Sequence, residues 1–325
     1  MRLSRDLLPV MCGVVALTIL LITHVPAEIY PSRPIQVIVP ATPGGPADTA
    51  IRMIEPDLSA VLGTPLILVN RPGASGIVGM SGVAAAAPTG YTIGAGVNSI
   101  FTVVRISAST VPFTIDDFLI IGNYASDVSI LAVRPDAPWR SFEDFIEHAR
   151  SNPGKLSYAS AGAGTVSSLS MQSITTAFKL DVTAVPFAGG AQLTMAVIGG
   201  HVDAGVVPYS TGAQMLREGK LRPLLTTALT RLPSLPDTPT LSEKGLPTKG
   251  FNLVLGLYAP KETPQDAINV LVEALRRAMN TPEAAAKLEN VGLFAHYENP
   301  KTARERLDEE FKDIVALDRR LKQRQ

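Results

Sequence analysis

Short β-like runs alternate with longer amphipathic runs along most of this chain, and that alternation restricts the fold to sheets covered by helices. β-like segments stand at residues 35–40 (IQVIVP), 66–70 (LILVN), 91–97 (YTIGAGV), 156–160 (LSYAS), 181–187 (DVTAVPF), 202–207 (VDAGVV) and 221–228 (LRPLLTTA). Strands separated by helical stretches belong to parallel sheets, because a parallel crossover needs room for a helix. The sequence therefore predicts an α/β fold. Ser141 with Asp144 three residues on reads as a capping box that opens a helix. The segments TPQDAINVLVEALRRAMN and NPKTARERLDEEFKDIVALDRRLK read as long helices with apolar faces at 3.6-residue spacing. Pro56 interrupts the first long helical pattern and is expected to kink or split it.

A chain of 325 residues exceeds what one core usually supports, roughly 250 to 300 residues, so two lobes are expected. Two extended apolar segments ending in proline, at 128–138 and 250–264, bracket the middle of the chain and read as crossings between lobes. On that basis residues 28–128 plus 255–325 form lobe 1, and 129–254 form lobe 2. Lys+Arg and Asp+Glu are equal at 29 each, so no net field draws nucleic acid or anionic lipid. Selectivity must be local.

Residues 1–27 read as a signal peptide. Arg2 and Arg5 precede the apolar run Leu7 to Thr23, and VPA ending at Ala27 offers small residues at a cleavage site. The mature protein is then expected to begin near Glu28 in the periplasm. An uncleaved anchor is the other reading, since about 17 apolar residues lie at the lower limit for crossing a bilayer. Cys12, the only cysteine, falls in this leader without a lipoprotein box, so the mature chain needs no disulfide.

One stretch asks for a ligand. The strand at 35–40 runs into ATPGGPAD (Ala41 to Asp48), a turn almost bare of side chains, and then straight into a helical pattern. Such a turn lets another molecule approach the backbone, and the N–H groups opening the helix point at it. A second strand, small-residue turn and helix follow at Leu156 to Phe178, in the other expected lobe. Ligands of doubly wound sheets bind at the carboxyl ends of strands. Facing each other, the two turns would surround an anion with backbone N–H groups and the hydroxyls of Thr42, Ser160 and Thr165. Neither turn contains Lys or Arg, which suits a carboxylate better than a polyphosphate. Asp48 reads either as an acidic residue favouring the helix dipole or as a ligand contact that could meet an ammonium group.

Other chemistries lack their motifs. The GKL triplets at Gly154 and Gly219 lack the P-loop spacing, GAGTVS from Gly162 is an incomplete dinucleotide fingerprint, and no G-x-S-x-G occurs. GIVGMSG (Gly76 to Gly82) reads as a close-packed small-residue helix. His148, His201 and His296 stand isolated, without metal-ligand spacing. Trp139 reads as a packing residue at the lobe boundary.

The segments YPSRPIQVIVPATPGGPADT, NRPGASGIVG, AAPTGYT, NPGKLSYASAGAGT, VPFAGGAQ, GGHVDAG, EGKLRPLLTT and LPDTPTLSEKGLP resemble, in order and spacing, the successive signatures of the Bug family. These are extracytoplasmic solute receptors of tripartite tricarboxylate transporters. The resemblance implies a type II periplasmic-binding-protein fold, with two α/β lobes joined by two crossing strands and a cleft that closes on a small carboxylate. It implies ligand contacts from Ala41, Thr42, Pro43, Gly44, Gly45 and Asp48 in the first turn, and from Ser160, Ala161, Gly162, Gly164 and Thr165 in the second. Asn98, Ser99, Phe187, Gly189 and Val207 are placed in the cleft on the same ground. It implies no catalytic residue, metal or cofactor. The partners implied are a small carboxylate (a di- or tricarboxylate, an acidic amino acid or an aromatic acid) and the membrane subunits of a carrier, served by a monomeric receptor. The chain departs from the family at Val206 and Val207, followed by Pro208 and Tyr209, where many relatives carry Phe-Asp, and at Ser168, where many carry His. A secreted hydrolase or transferase and a ligand sensor for a signalling partner are the competing readings. A receptor is further expected to be open when free and closed when occupied, with the first turn moving toward the second.

Overall fold

The computed structural model describes residues 29–107, 110–162, 165–246 and 252–322; the leader and Gly164 lie outside them. The chain builds two mixed α/β sheets. The first takes β1 (Ile35–Val39), α1 (Pro46–Leu62), β2 (Leu66–Asn70), α2 (Ile77–Ala84), β3 (Thr92–Val97), α3 (Val103–Ser107) and β4 (Phe118–Asp127). The second takes β5 (Ser129–Val133), α4 (Phe142–Ser151), β6 (Leu156–Ser160), α5 (Val166–Phe178), β7 (Val182–Pro186), α6 (Gly190–Ile198), β8 (Ala204–Pro208), α7 (Tyr209–Arg217) and β9 (Arg222–Thr226). The chain then returns through β10 (Leu253–Pro260), α8 (Gln265–Met279), α9 (Pro282–Asn290), β11 (Phe294–Glu298) and α10 (Pro300–Lys322).

Strand order is β11-β4-β10-β3-β1-β2 in the first sheet and β7-β6-β8-β5-β9 in the second. The sheets are not parallel throughout. β1 pairs in parallel with β2 and β3, and β6 with β7 and β8, but β10 runs against β3 and β4, and β5 against β8 and β9. The cause lies in the crossings. β5 follows β4 with only Val128 between, and β10 likewise begins where the chain re-enters the first sheet. A strand that enters a sheet from the cleft must run against strands that end there. The 128–138 and 250–264 segments are therefore partly built into the sheets as β5 and β10. Leu253 already pairs with Asp127, slightly before the expected boundary at 255. β11, which no alternation announced, closes the edge of the first sheet.

Each sheet has its own core. Ile35, Ile51, Ile54, Tyr124, Leu255 and Leu275 are fully buried in the first. Val133, Phe145, Met171 and Ile174 fill one face of the second, and Ile130, Leu193 and Val197 the other. β1 and β5 are buried along nearly their whole length, as strands covered on both faces must be. The Ser141 and Asp144 side chains form the expected reciprocal cap of α4. Pro56 neither ends nor divides α1, which runs as one helix from Pro46 to Leu62. Its ring is exposed, and the carbonyl it leaves unbonded, on the exposed Arg52, can turn to water. Trp139 packs edge-on against Phe145 and His148 within the core of the second sheet. His296 is not isolated, for its Nε2 lies 3.1 Å from Glu298, which also pairs with Arg306.

Candidate functional site

Between the two sheets, where β1, β3, β6 and β8 end, lies a cavity of about 600 Å³. The first sheet contributes Pro40 to Thr42 and Gly45 to Ala47 from the β1–α1 turn, Pro72 to Gly76 from the loop after β2, and Val97, Ser99 and Ile100 from the end of β3. The second contributes Ala161, Gly162, Thr165 to Ser167, Phe187 to Gly190, Leu193 and Pro208, while Ser129 and Leu253 line it from the two crossings. Among the described residues, no Asp, Glu, Lys, Arg or His lines this cavity. Its polar groups are hydroxyls and backbone.

The first turn is held from outside. Asp48 is 2% exposed and accepts hydrogen bonds from Gly44 N (2.9 Å), Arg52 Nε (2.9 Å) and Asn70 Nδ2 (2.9 Å). Burial alone would raise its pKa, but these hydrogen bonds and the Arg52 guanidinium outweigh it and hold the carboxyl below the usual range. The carboxylate is thus committed to the turn and does not line the cavity. Gly44 sits at φ +77°, a left-handed corner that suits glycine, and the turn closes with Gly45 N on Thr42 O at 3.2 Å. Gly45 then caps α1 without any side-chain bond to the helix amides. Pro46 has no N–H, so Ala47 and Asp48 carry the first-turn amides that lack intrahelical acceptors.

The second turn is held from inside. Gly162 N donates to Ser160 Oγ (3.2 Å), Ala161 N to Ser167 Oγ (3.2 Å) and Ser168 N to Thr165 Oγ1 (3.4 Å), and Thr165 Oγ1 donates to Gly162 O (2.8 Å). The amides of Ala161 and Gly162, expected to grip a ligand, are thus occupied by the turn's own hydroxyls. The start of α6 behaves like that of α1, because its N-cap, Gly189, also lacks a side-chain bond. Two uncapped helix N-termini therefore open on one uncharged cavity.

Of the residues assigned to ligand contact, Ala41, Thr42, Gly45, Ser99, Ala161, Gly162, Thr165, Phe187 and Gly189 line the cavity. Pro43 and Gly44 are exposed on the outer side of the turn, and Ser160 lies buried behind its own turn. Val207 is turned into the packing against Gly212 of α7. Asn98 is spent on the framework. It donates to Glu310 (2.8 Å) and to the carbonyl of Asn252 (3.1 Å), and accepts from Val254 N (2.9 Å). Asn252 continues to Thr227 (2.9 Å), which holds Ser129 N (2.8 Å), so this chain of bonds ties both crossings together. Asp127, at the end of β4, caps α7 through Ser210 N and Oγ. Complete burial pushes its carboxyl up to about 7 despite those bonds.

Sequence reasoning gave no role to the loop after β2. Pro72 to Gly76 forms a wall of the cavity, with Ala74 (φ 45°) and Ser75 (φ 53°) both in the left-handed region. Non-glycine residues in that conformation collect at functional sites. The glycines flanking Ala74 and Ser75 were the available signal.

A family model described as tripartite tricarboxylate transporter family receptor matches residues 50–318. The chain belongs to this family. The Bug resemblance is thereby established, and the family consists of solute-binding receptors, not enzymes. A UPF0065 protein of Bordetella pertussis is 34% identical over 82% of this chain and 83% of its own length. Among solved structures, an R. palustris protein with adipate superposes with a TM-score of 0.84 at 27% identity, covering 91% of this chain and 98% of that one. MatC from Rhodopseudomonas palustris with bound malate gives 0.82 at 29%, covering 88% and 98%. The two mixed α/β sheets are thus the two lobes of a periplasmic-binding-protein fold.

Proposed function

We propose that this chain captures a small carboxylate in the interlobe cavity, in the periplasm, and delivers it to the membrane subunits of a tripartite carrier. The observation that carries the proposal is a cleft between the lobes whose lining, among the described residues, has no cationic side chain, and on which the N-termini of α1 and α6 open without a side-chain cap. Helix N-termini supply N–H donors and partial positive charge, so a carboxylate is met by neutral groups that release it when the cleft opens. The adipate and malate bound by relatives belong to this chemical class. Ala41, Thr42, Gly45, Ser99, Gly162, Thr165 and Phe187 are the contacts we assign to the ligand. Residues 28–128 with 253–325, and 129–252, are the two bodies we assign to the closing motion, with hinges at Val128 and ahead of Leu253, two residues before the boundary expected from sequence.

Thermal shift and calorimetry on protein lacking residues 1–27 test the assignment. Adipate or malate should raise Tm with concentration, as expected for binding to the folded state, and 1,6-hexanediol should not. A shift by the diol equal to that by the diacid would remove the anion from the account. No shift by any mono-, di- or tricarboxylate would remove the receptor assignment. N-terminal sequencing of exported protein checks the compartment, with Glu28 the expected start.

A further inference from the structure

Across the cavity, the N-terminus of α6 meets the N-terminal turn of α1 at one place where a side chain is missing. A Cβ placed on Gly189 would stand 2.7 Å from Thr42 Oγ1 and 3.9 Å from Thr42 Cβ, and one on Gly190 would lie 3.5 Å from Pro46 Cδ. The two lobes touch here. Gly189 has φ 171° and ψ 179°, an extended conformation open to any residue, so its backbone gives no reason for glycine. The reason is the approach of Thr42 from the other lobe.

We propose that Gly189 is an affinity-determining residue that acts through closure: its bare Cα is the seat for Thr42, and this contact shuts the cleft over the ligand. The contact exists only when the lobes meet, so it favours the closed form by the difference between closed and open states. It follows that Gly189 contributes to affinity through the lobe equilibrium more than by touching the ligand. The effect on affinity rests on the carboxylate-receptor reading above, whereas the contact itself does not. A second crossing of the cleft lies elsewhere on the rim, where a Cβ on Gly162 would meet Ser75 Oγ at 3.5 Å. That glycine has φ +101° and is constrained by its backbone as well, which makes Gly189 the cleaner probe.

Two experiments decide it. A Cβ to Cβ separation of 3.9 Å suits a disulfide, and the only native cysteine, Cys12, lies in the leader. In protein lacking that leader, the double variant Thr42→Cys/Gly189→Cys should lose both free thiols on mild oxidation and remain monomeric. Two persistent thiols, with and without adipate, would overturn the contact. The second experiment is a double-mutant cycle on adipate affinity. Gly189→Ala should weaken binding several-fold in the native background and leave it unchanged in a Thr42→Ala background, where the nearest Thr42 atom would be at ordinary contact distance. An equal loss in both backgrounds would mean that Gly189 acts on the ligand and would overturn the closure role. Cross-linking by a protein that binds no carboxylate would leave the contact standing and remove the receptor reading instead.

Discussion

The turns after β1 and β6 look alike in sequence, yet the structure holds them in opposite ways. The β1–α1 turn is fastened by a buried carboxylate outside the cavity, Asp48, and leaves the start of α1 uncapped. The β6–α5 turn is fastened by its own hydroxyls, Ser160, Thr165 and Ser167, which engage the amides of Ala161, Gly162 and Ser168. On the proposed function, the start of α6, which Thr42 faces, is the closer counterpart of the first turn, because both N-caps are glycines with no side-chain bond to the helix amides, whereas Thr165 caps Ser168 N of α5.

The contrast breaks most severely at Asp48. Asp48→Ala leaves Gly44 N, Arg52 and Asn70 without their shared acceptor, and about 2 to 4 kcal/mol of stability should be lost in urea unfolding. Asp48→Asn should lose less, because one oxygen remains. Destabilisation of Asp48→Ala below about 0.5 kcal/mol would show that the turn is not held from outside. Since the folded pKa of Asp48 is depressed, its contribution is present above the ordinary carboxylate range and disappears only in acid below it.

Asp127 has the opposite sign. Folding raises its pKa to about 7, so the native state binds its proton more tightly than the unfolded chain, and stability falls as pH rises from about 4 to about 7. Asp127→Asn keeps an acceptor for Ser210 and removes the titration. The variant should match the parent near pH 4 to 5 and exceed it above pH 7 by on the order of 1 to 3 kcal/mol. An unchanged pH profile in thermal unfolding would contradict a neutral Asp127.

At the second turn, Thr165→Ala removes the acceptor for Ser168 N, and a loss of about 1 kcal/mol is expected, as for other N-cap hydroxyls. Its effect on adipate affinity, read by calorimetry, should be smaller than that of any change that covers the start of α1. The smallest effect on ligand binding is expected from Gly44→Ala. A Cβ there meets nothing within 4 Å, but φ +77° costs an alanine roughly 1 to 2 kcal/mol of stability. Because Gly44 faces outward, adipate affinity should not change.

Much of this was legible because it is local. The strand, bare turn and helix from Ile35 to Gly63, its repeat at Leu156 to Phe178, and the Ser141 cap follow from residue type and spacing alone. What sequence missed depends on distant partners. Asn98 was placed in the cleft, but its carboxamide is claimed by Glu310 and Asn252, more than 150 residues away. Asp48 reads as a free acid until Asn70, at the end of β2, closes on it. The antiparallel course of β5 and β10 follows from where the chain crosses the cleft, which no periodicity records. Ala74 and Ser75 carry no mark of their left-handed backbone. The seating of Thr42 on Gly189 is a property of two lobes, and neither segment alone contains it.

On the proposed function, a carboxylate is held in this cleft by helix N-termini and not by a cation. A crystal structure of the protein grown with adipate tests this. Closed lobes are expected, with a carboxylate within hydrogen-bond distance of the first-turn amides of α1 and α6 and no Lys, Arg or His contact. A carboxylate paired with a charged side chain, or bound outside the cavity between the lobes, would contradict it.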